Sequence, residues 1–304
     1  RLASRVSLIL KGKNKPQFSP NLINLLGRSR AIDEPIEKIH MDIAKSTQII
    51  YENTFFHILN NLYNKYKNKN IALAGGCAAN SVANGKITVK TNFKRVYIQA
   101  APGDAGGAIG AALVVWNKIE GSNVSCMNSP FLGDQPKNNE IKNLLENKNT
   151  IQKLNDLKCN VINFNSDCNG IKDLLEKVSD EIIKGKVIGW FEGRMEWGPR
   201  ALGHRSIIAD PRRNDMKEIL NIKIKKRESF RPFAPSILKE EIVNWFETNS
   251  EFDIEVPFMM KVYTFKESKR SLVPAVCHVD GTGRLQSVNK KLNGNYYELI
   301  KLFY

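Results

Sequence analysis

Between Gly189 and Arg213 the chain reads GWFEGRMEWGPRALGHRSIIADPRR. Arg194, Arg200 and Arg205 stand here among glycines and a proline, with apolar residues on both flanks. Arginine presents a planar fork of donors that matches phosphate and carboxylate oxygens. Glycine lets a backbone approach a ligand closely. Two readings follow: a phosphate-binding loop, or a structural turn stapled by pairs between these arginines and Glu192, Glu196 or Asp210. Downstream, KKRESFRPFAPS sets Lys225, Arg227 and Arg231 around Phe230 and Phe233, with Pro232 and Pro235 stiffening the chain. Cations interleaved with apolar residues are costly to bury unless an anion compensates them. A third segment, HVDGTGRLQSV, places Arg284 on a predicted strand after a glycine turn. So many cations exceed what one phosphate demands. They suit a polyphosphate together with a second anionic substrate.

The first half offers a different chemistry. In LAGGCAANSVANGK, Gly75 and Gly76 follow a predicted strand, and PGDAGGAIGAAL repeats the arrangement. Each is a nucleotide loop or a plain tight turn. Read as loops, they offer Gly75, Gly76, Asn80, Gly103, Gly106 and Gly107 as cofactor contacts. Asp104 fits an N-cap, a metal ligand or a nucleotide contact. His40, His57, His204 and His278 show no metal-ligand spacing among themselves. No Ser–His or Cys–His pairing suggests a nucleophile.

These residues need elements to hold them. Residues 42–66 predict an amphipathic helix, with Phe55, Ile58, Leu59, Leu62 and Tyr66 at three- and four-residue spacing. Short strands are predicted at 71–74 and 95–99, each running into a glycine turn and a helix, which predicts an α/β layer structure. Polar residues at 121–123 and 128–130 mark a loop and a domain boundary. Beyond it the pattern predicts a polar helix over 138–156, a strand from Cys159 to Phe164, an amphipathic helix over 170–184 and a buried strand over 186–191. No internal repeat is present.

The chain has 304 residues, of which 42% are hydrophobic, enough for two cores. No apolar run reaches the roughly 18 residues of a membrane span. The opening RLASRVSLIL is too short and broken for a secretory signal. Five scattered cysteines argue against a disulfide framework and a zinc site, and for a reducing cytoplasm. The net charge of +15 raises nucleic acid as a partner. The lysines, however, are dispersed rather than interleaved with aromatics, and a basic field also suits ATP. The abrupt start at Arg1 and stop at Tyr304 are expected of a piece of a longer protein.

Taken in order, LAGGCAANSVANGKI, APGDAGGAIGAAL, GWFEGRMEWGPRALGHRSIIADPR, KKRESFRPFAPSIL and VPAVCHVDGTGRLQSV resemble the O-carbamoyltransferases of nodulation-factor and antibiotic biosynthesis. The likeness covers the chain from about Asp42 to Tyr304. The two arginine-bearing segments are the most specific. The resemblance implies an α/β protein with a partial actin-like ATPase domain over 1–128 and a YrdC-like carbamoyl-adenylate-forming domain over 129–304. It implies ATP and carbamoyl phosphate as substrates, with carbamoyl adenylate and pyrophosphate formed. The carbamoyl group then passes to a hydroxyl of a small-molecule acceptor, with an Fe(2+) ion held by two histidines and an aspartate. On motif match Asp104 is that aspartate, while Arg200, Arg205, Lys225, Arg227, Arg231 and Arg284 fall in the anion-binding motifs. Cys77 stands where Val is usual, Ala105 where a second Asp is common and Gly283 where Ala is common. The family's N-terminal His-x-x-x-His pair and final Asn-rich stretch have no match here, so the metal site is expected to be incomplete in this chain alone. A tRNA threonylcarbamoyl-type enzyme shares both folds and differs in acceptor. A non-enzymatic basic binding protein would instead spread its cations over exposed faces.

Overall fold

A computed structural model describes residues 20–31, 33–121, 127–248 and 255–304. It forms two compact units, one ending at Ile58 and the other running from Leu59 to Tyr304. The described part of the first unit carries helix α1 (Pro20–Leu26) and most of helix α2 (Lys38–Tyr66). The helix expected over 42–66 is present, but its apolar stripe is largely exposed. Leu59 is 2% exposed, whereas Ile58 and Tyr66 are 51% and 64% exposed.

The second unit is a mixed α/β assembly. Strands β1 (Asn70–Leu73) and β2 (Arg95–Ile98) pair in parallel, Leu73 opposite Ile98. Between them lie two helical turns, Ser81–Asn84 and Ile87–Lys90, which make the crossover that parallel pairing requires. Helix α3 (Asp104–Glu120) follows β2. The polar helix expected over 138–156 is two helices, α4 (Asn138–Glu146) and α5 (Lys148–Asp156). Asn147 breaks it, with extended backbone and a side chain that accepts the Asn149 amide at 3.0 Å. Cys159–Phe164 is not a strand. Among the described residues no neighbour pairs with it, and Val161 and Ile162 face solvent. Helix α6 (Cys168–Ile183) is capped by Asp167, whose Oδ1 accepts the Gly170 amide at 2.7 Å.

Strands β3 (Ile188–Phe191) and β4 (Arg205–Ile208) pair antiparallel, with Phe191 opposite Arg205. The strand read as buried is only half so: Ile188 and Trp190 face inward and Phe191 is exposed. Beyond them β5 (Ser236–Leu238) pairs in parallel with β8 (Gln286–Val288), and β6 (Val262–Thr264) pairs antiparallel with β7 (Thr282–Arg284). Helix α7 (Lys290–Phe303) closes the chain. Leu299 and Tyr296 on α7 pack with Leu175 and Ile182 on α6. Another core cluster joins Ala78, Ile98 and Ala100 to Leu202 and to Phe258, Met259 and Met260. The β1–β2 region and the arginine-bearing segments therefore share one core, with residues from both sides of 128 in it. No helix among the described residues is long and apolar enough to cross a membrane.

Candidate functional site

The two glycine turns leave the carboxyl ends of parallel strands, where ligand crevices of α/β sheets form. They meet: the Gly75 amide donates to the Pro102 carbonyl at 2.7 Å. Asp104 is exposed at the first turn of α3, whose unsatisfied amides and dipole favour an anion. A methyl group added at Gly75, Gly76 or Gly107 would meet only open space. Gly106 differs, because a Cβ there would lie 2.0 Å from the Ala101 carbonyl oxygen. Its glycine serves packing. Gly103 faces the Cα of Gly76. Asn80 is turned inward as an N-cap, accepting the Ala83 amide at 3.2 Å.

The arginine segment docks onto these turns. Trp197 Nε1 donates to the Ala105 carbonyl at 3.1 Å. Gly198, at φ +135°, lies against the Ala100 carbonyl, where a Cβ would approach to 2.5 Å. Arg200 Nη2 donates to the Ala79 carbonyl at 3.3 Å. On its other side Arg200 lines a cleft of about 1140 Å³, together with Lys225, Arg227 and Arg284. Four of the six expected cations thus converge.

The two others stand apart. Arg205 spends its guanidinium on carbonyls, Glu192 at 2.7 Å, His204 at 2.9 Å and Gly193 at 3.0 Å, and stacks on the Phe191 ring. Arg231 is exposed and pairs with Glu228 at 2.9 Å. The carboxylate staples read from the sequence form differently. Asp210 pairs with Arg212, and Glu192 and Glu196 pair with none of the three arginines.

Arg212, Asp210 and Glu241 also line the cleft, and Asp210 is held by Arg212. Burial, then the neighbouring Arg284, pushes the Arg200 guanidinium down to about 10. Burial and then Arg227 lower Arg284, and burial and then Arg231 lower Arg227. The Nε atoms of Arg200 and Arg284 are buried with no hydrogen-bond partner, and among the described residues neither side chain forms an ion pair. Arg227 is braced by Asn221 Oδ1 at 2.7 Å and the Phe233 ring. Gly283, where Ala is common in the family the sequence resembles, is fitted to this packing, since a Cβ would meet the Phe265 ring at 2.5 Å.

Three residues organise the site without having been singled out as ligands. Glu196 gathers backbone amides. Asn221 holds the Ser229 and Arg231 carbonyls from a fully buried position on a π-helical turn, Leu220–Ile224. His204 stacks on Phe131. Among the described residues no three His, Cys, Asp or Glu side chains come together as a metal centre. Asp104 belongs to no such group.

Comparison with known proteins gives two matches, with residues 114–178 between them. Residues 13–113 match the model of the carbamoyltransferase N-terminus and residues 179–304 that of the carbamoyltransferase C-terminus. The chain belongs to the carbamoyltransferase family. Nodulation protein NolNO of Sinorhizobium fredii is 37% identical over 270 residues, covering 88% of this chain and 38% of that protein. Nodulation protein NolO of Bradyrhizobium diazoefficiens is 36% identical over 269 residues, covering 88% and 47%. An uncharacterized protein of Synechocystis sp. is 39% identical over 299 residues, covering 90% and 46%. The chain spans about half the length, or less, of these relatives. Both arginine segments and HVDGTGRLQSV fall within the C-terminal match, and both glycine turns within the N-terminal one.

Proposed function

We propose that this chain supplies the adenylate-forming cleft, and one wall of the transfer site, of an ATP-dependent O-carbamoyltransferase. The observation that carries the reading is the pair Arg200 and Arg284, half-buried at a cleft, each with a buried Nε that has no partner and, among the described residues, with no ion pair. Two anionic substrates, ATP and carbamoyl phosphate, would provide the counter-charge. Atoms balance when water takes the phosphate from carbamoyl phosphate and the carbamate oxygen then displaces pyrophosphate from the α-phosphorus. Fixed arginines stabilise charge on the transferring oxygens without reorganising, and hold two mutually repelling anions in line. The glycine turns, open to close approach and joined to the cleft through Arg200, fit the step in which a small-molecule hydroxyl takes the carbamoyl group.

The finer assignments belong to the same proposal. They are an actin-like domain to residue 128, a YrdC-like domain from 129, and Asp104 as one ligand of an Fe(2+) ion completed by residues beyond this chain. A cytoplasmic location follows from the two substrates. The test is carbamoyl-phosphate-dependent release of pyrophosphate from ATP by the chain within its full-length protein. No release above a control lacking carbamoyl phosphate would overturn it.

A further inference from the structure

We propose that Glu196 is a positioning residue for Arg200: its carboxylate folds residues 197–205 into the loop that aims the guanidinium into the cleft. The proposal rests on the anion-site reading above. A single oxygen, Oε1, accepts the amides of Leu202 at 2.8 Å, His204 at 2.8 Å and Arg205 at 3.1 Å. Glu196 is 7% exposed, and among the described residues no cation pairs with it. Its charge is compensated by main chain alone. Burial by itself would push this carboxyl up, yet the Leu202 and His204 amides outweigh it and hold it below the usual carboxylate range.

The loop so gathered is clamped elsewhere. The Leu202 carbonyl accepts Gln286 Nε2 at 2.7 Å and Asn293 Nδ2 at 3.3 Å, and the Leu202 side chain sits in the shared core. At the other end Trp197 and Gly198 rest on the 100–105 turn. Arg200 lies between these clamps. Its own hydrogen bond, to Ala79, is long at 3.3 Å, and its Nε has no partner. The guanidinium is thus aimed by the loop's backbone rather than by contacts of its own, and the backbone converges on Glu196.

A double-mutant cycle tests this in the full-length protein, with ATP and inorganic pyrophosphate titrated by calorimetry and melting followed in parallel. Glu196→Gln keeps the shape and an acceptor but loses the charge. We expect it to weaken ATP binding about tenfold and Arg200→Ala to weaken it about a hundredfold, with the double variant no weaker than Arg200→Ala. A purely structural role would lower the melting temperature and multiply the two losses in the double variant. Native affinity in folded Glu196→Gln, or multiplied losses, overturns the proposal. If Glu196→Gln does not fold, Glu196→Asp replaces it in the same cycle, and failure of both to fold assigns the residue to stability and rejects the positioning role. Native affinity in Arg200→Ala overturns the anion-site reading instead.

Discussion

Arg205, which opens strand β4, and Arg212, just beyond its end, have found oxygens within the protein. Arg205 serves a ring of carbonyls, and Arg212 holds Asp210 with Nε at 2.9 Å and Nη2 at 2.7 Å while stacking on Phe303. Arg200 and Arg284 carry the same group with a buried Nε that meets no acceptor, and the hydrogen bond from Arg200 to Ala79 is long at 3.3 Å. A guanidinium whose donors are met by the fold contributes to stability. One buried without acceptors costs stability until a ligand brings them. Arg200 and Arg205 are five residues apart in one motif, yet they fall on opposite sides of this division.

Removing the unmet arginines should give the largest effect. Arg200→Ala or Arg284→Ala in the full-length protein should lower carbamoyl-phosphate-dependent pyrophosphate release about a hundredfold, since charge-assisted hydrogen bonds are worth about 1.5–3 kcal/mol each. Neither should lower the melting temperature. Arg200→Lys should recover only part of the rate, because a point charge lacks the fork. Unchanged release in both alanine variants would erase the distinction between the two pairs of arginines.

Arg205→Ala should show the opposite profile. Losing its carbonyl contacts should cost about 2 kcal/mol of stability, a melting temperature lower by about 4–8 °C. ATP affinity of the folded protein should change little. A large loss of affinity without a melting shift would move Arg205 to the cleft side.

The glycine turns sharpen the same contrast. Gly106→Ala forces a Cβ to within 2.0 Å of the Ala101 oxygen, and such overpacking should cost about 1–3 kcal/mol. Gly107→Ala meets open space within α3 and should be neutral or stabilising by up to about 1 kcal/mol. If a substrate approaches that backbone, Gly107→Ala will lower turnover while raising the melting temperature. Thermal melts beside initial rates decide it.

The smallest effect concerns Glu192, a half-buried acid on the structural side. Burial raises its pKa, against the pull of His204 and of hydrogen bonds from Trp190 and Asn295. The folded state therefore holds its proton to higher pH than the unfolded chain does. Stability should fall as pH rises from the ordinary carboxylate range through the raised value. Glu192→Gln should flatten that part of the profile, and melting temperatures taken from pH 4 to 7 would show a preserved slope if the assignment is wrong.

Much of the scaffold was legible in the sequence. Alternation and punctuation located β1, β2, α6 and the glycine turns, because these depend on neighbours close in the chain. Cys159–Phe164 has strand-forming residues but no partner to pair with, and partnership is not written locally. Asn147 is polar like its surroundings, so a cap that splits a helix was hidden within a polar run. Arginine types and spacing pointed to the cleft, yet nothing local separates Arg205 from Arg200. Their oxygens come from residues 79, 192, 193 and 204. In sequence Glu196 is one of three candidate ion-pair partners, with Glu192 and Asp210, because acceptance of main-chain amides leaves no signature in the identity of the donors. A carboxylate inside a Gly- and Pro-rich turn was the one available signal.

The Asn84 carboxamide donates to the carbonyl of Met260 at 2.9 Å, across 176 residues of sequence. A ribosome adding about 5–20 residues per second needs roughly 10–35 s to make that span. Throughout that interval Asn84, and the Ala78, Ile98 and Ala100 surface beside it, await the segment that covers them. Newly made β1–β2 chain thus stays an open template for much of its own synthesis, and a translational pause between residues 100 and 258 would prolong its exposure to chaperones and to aggregation.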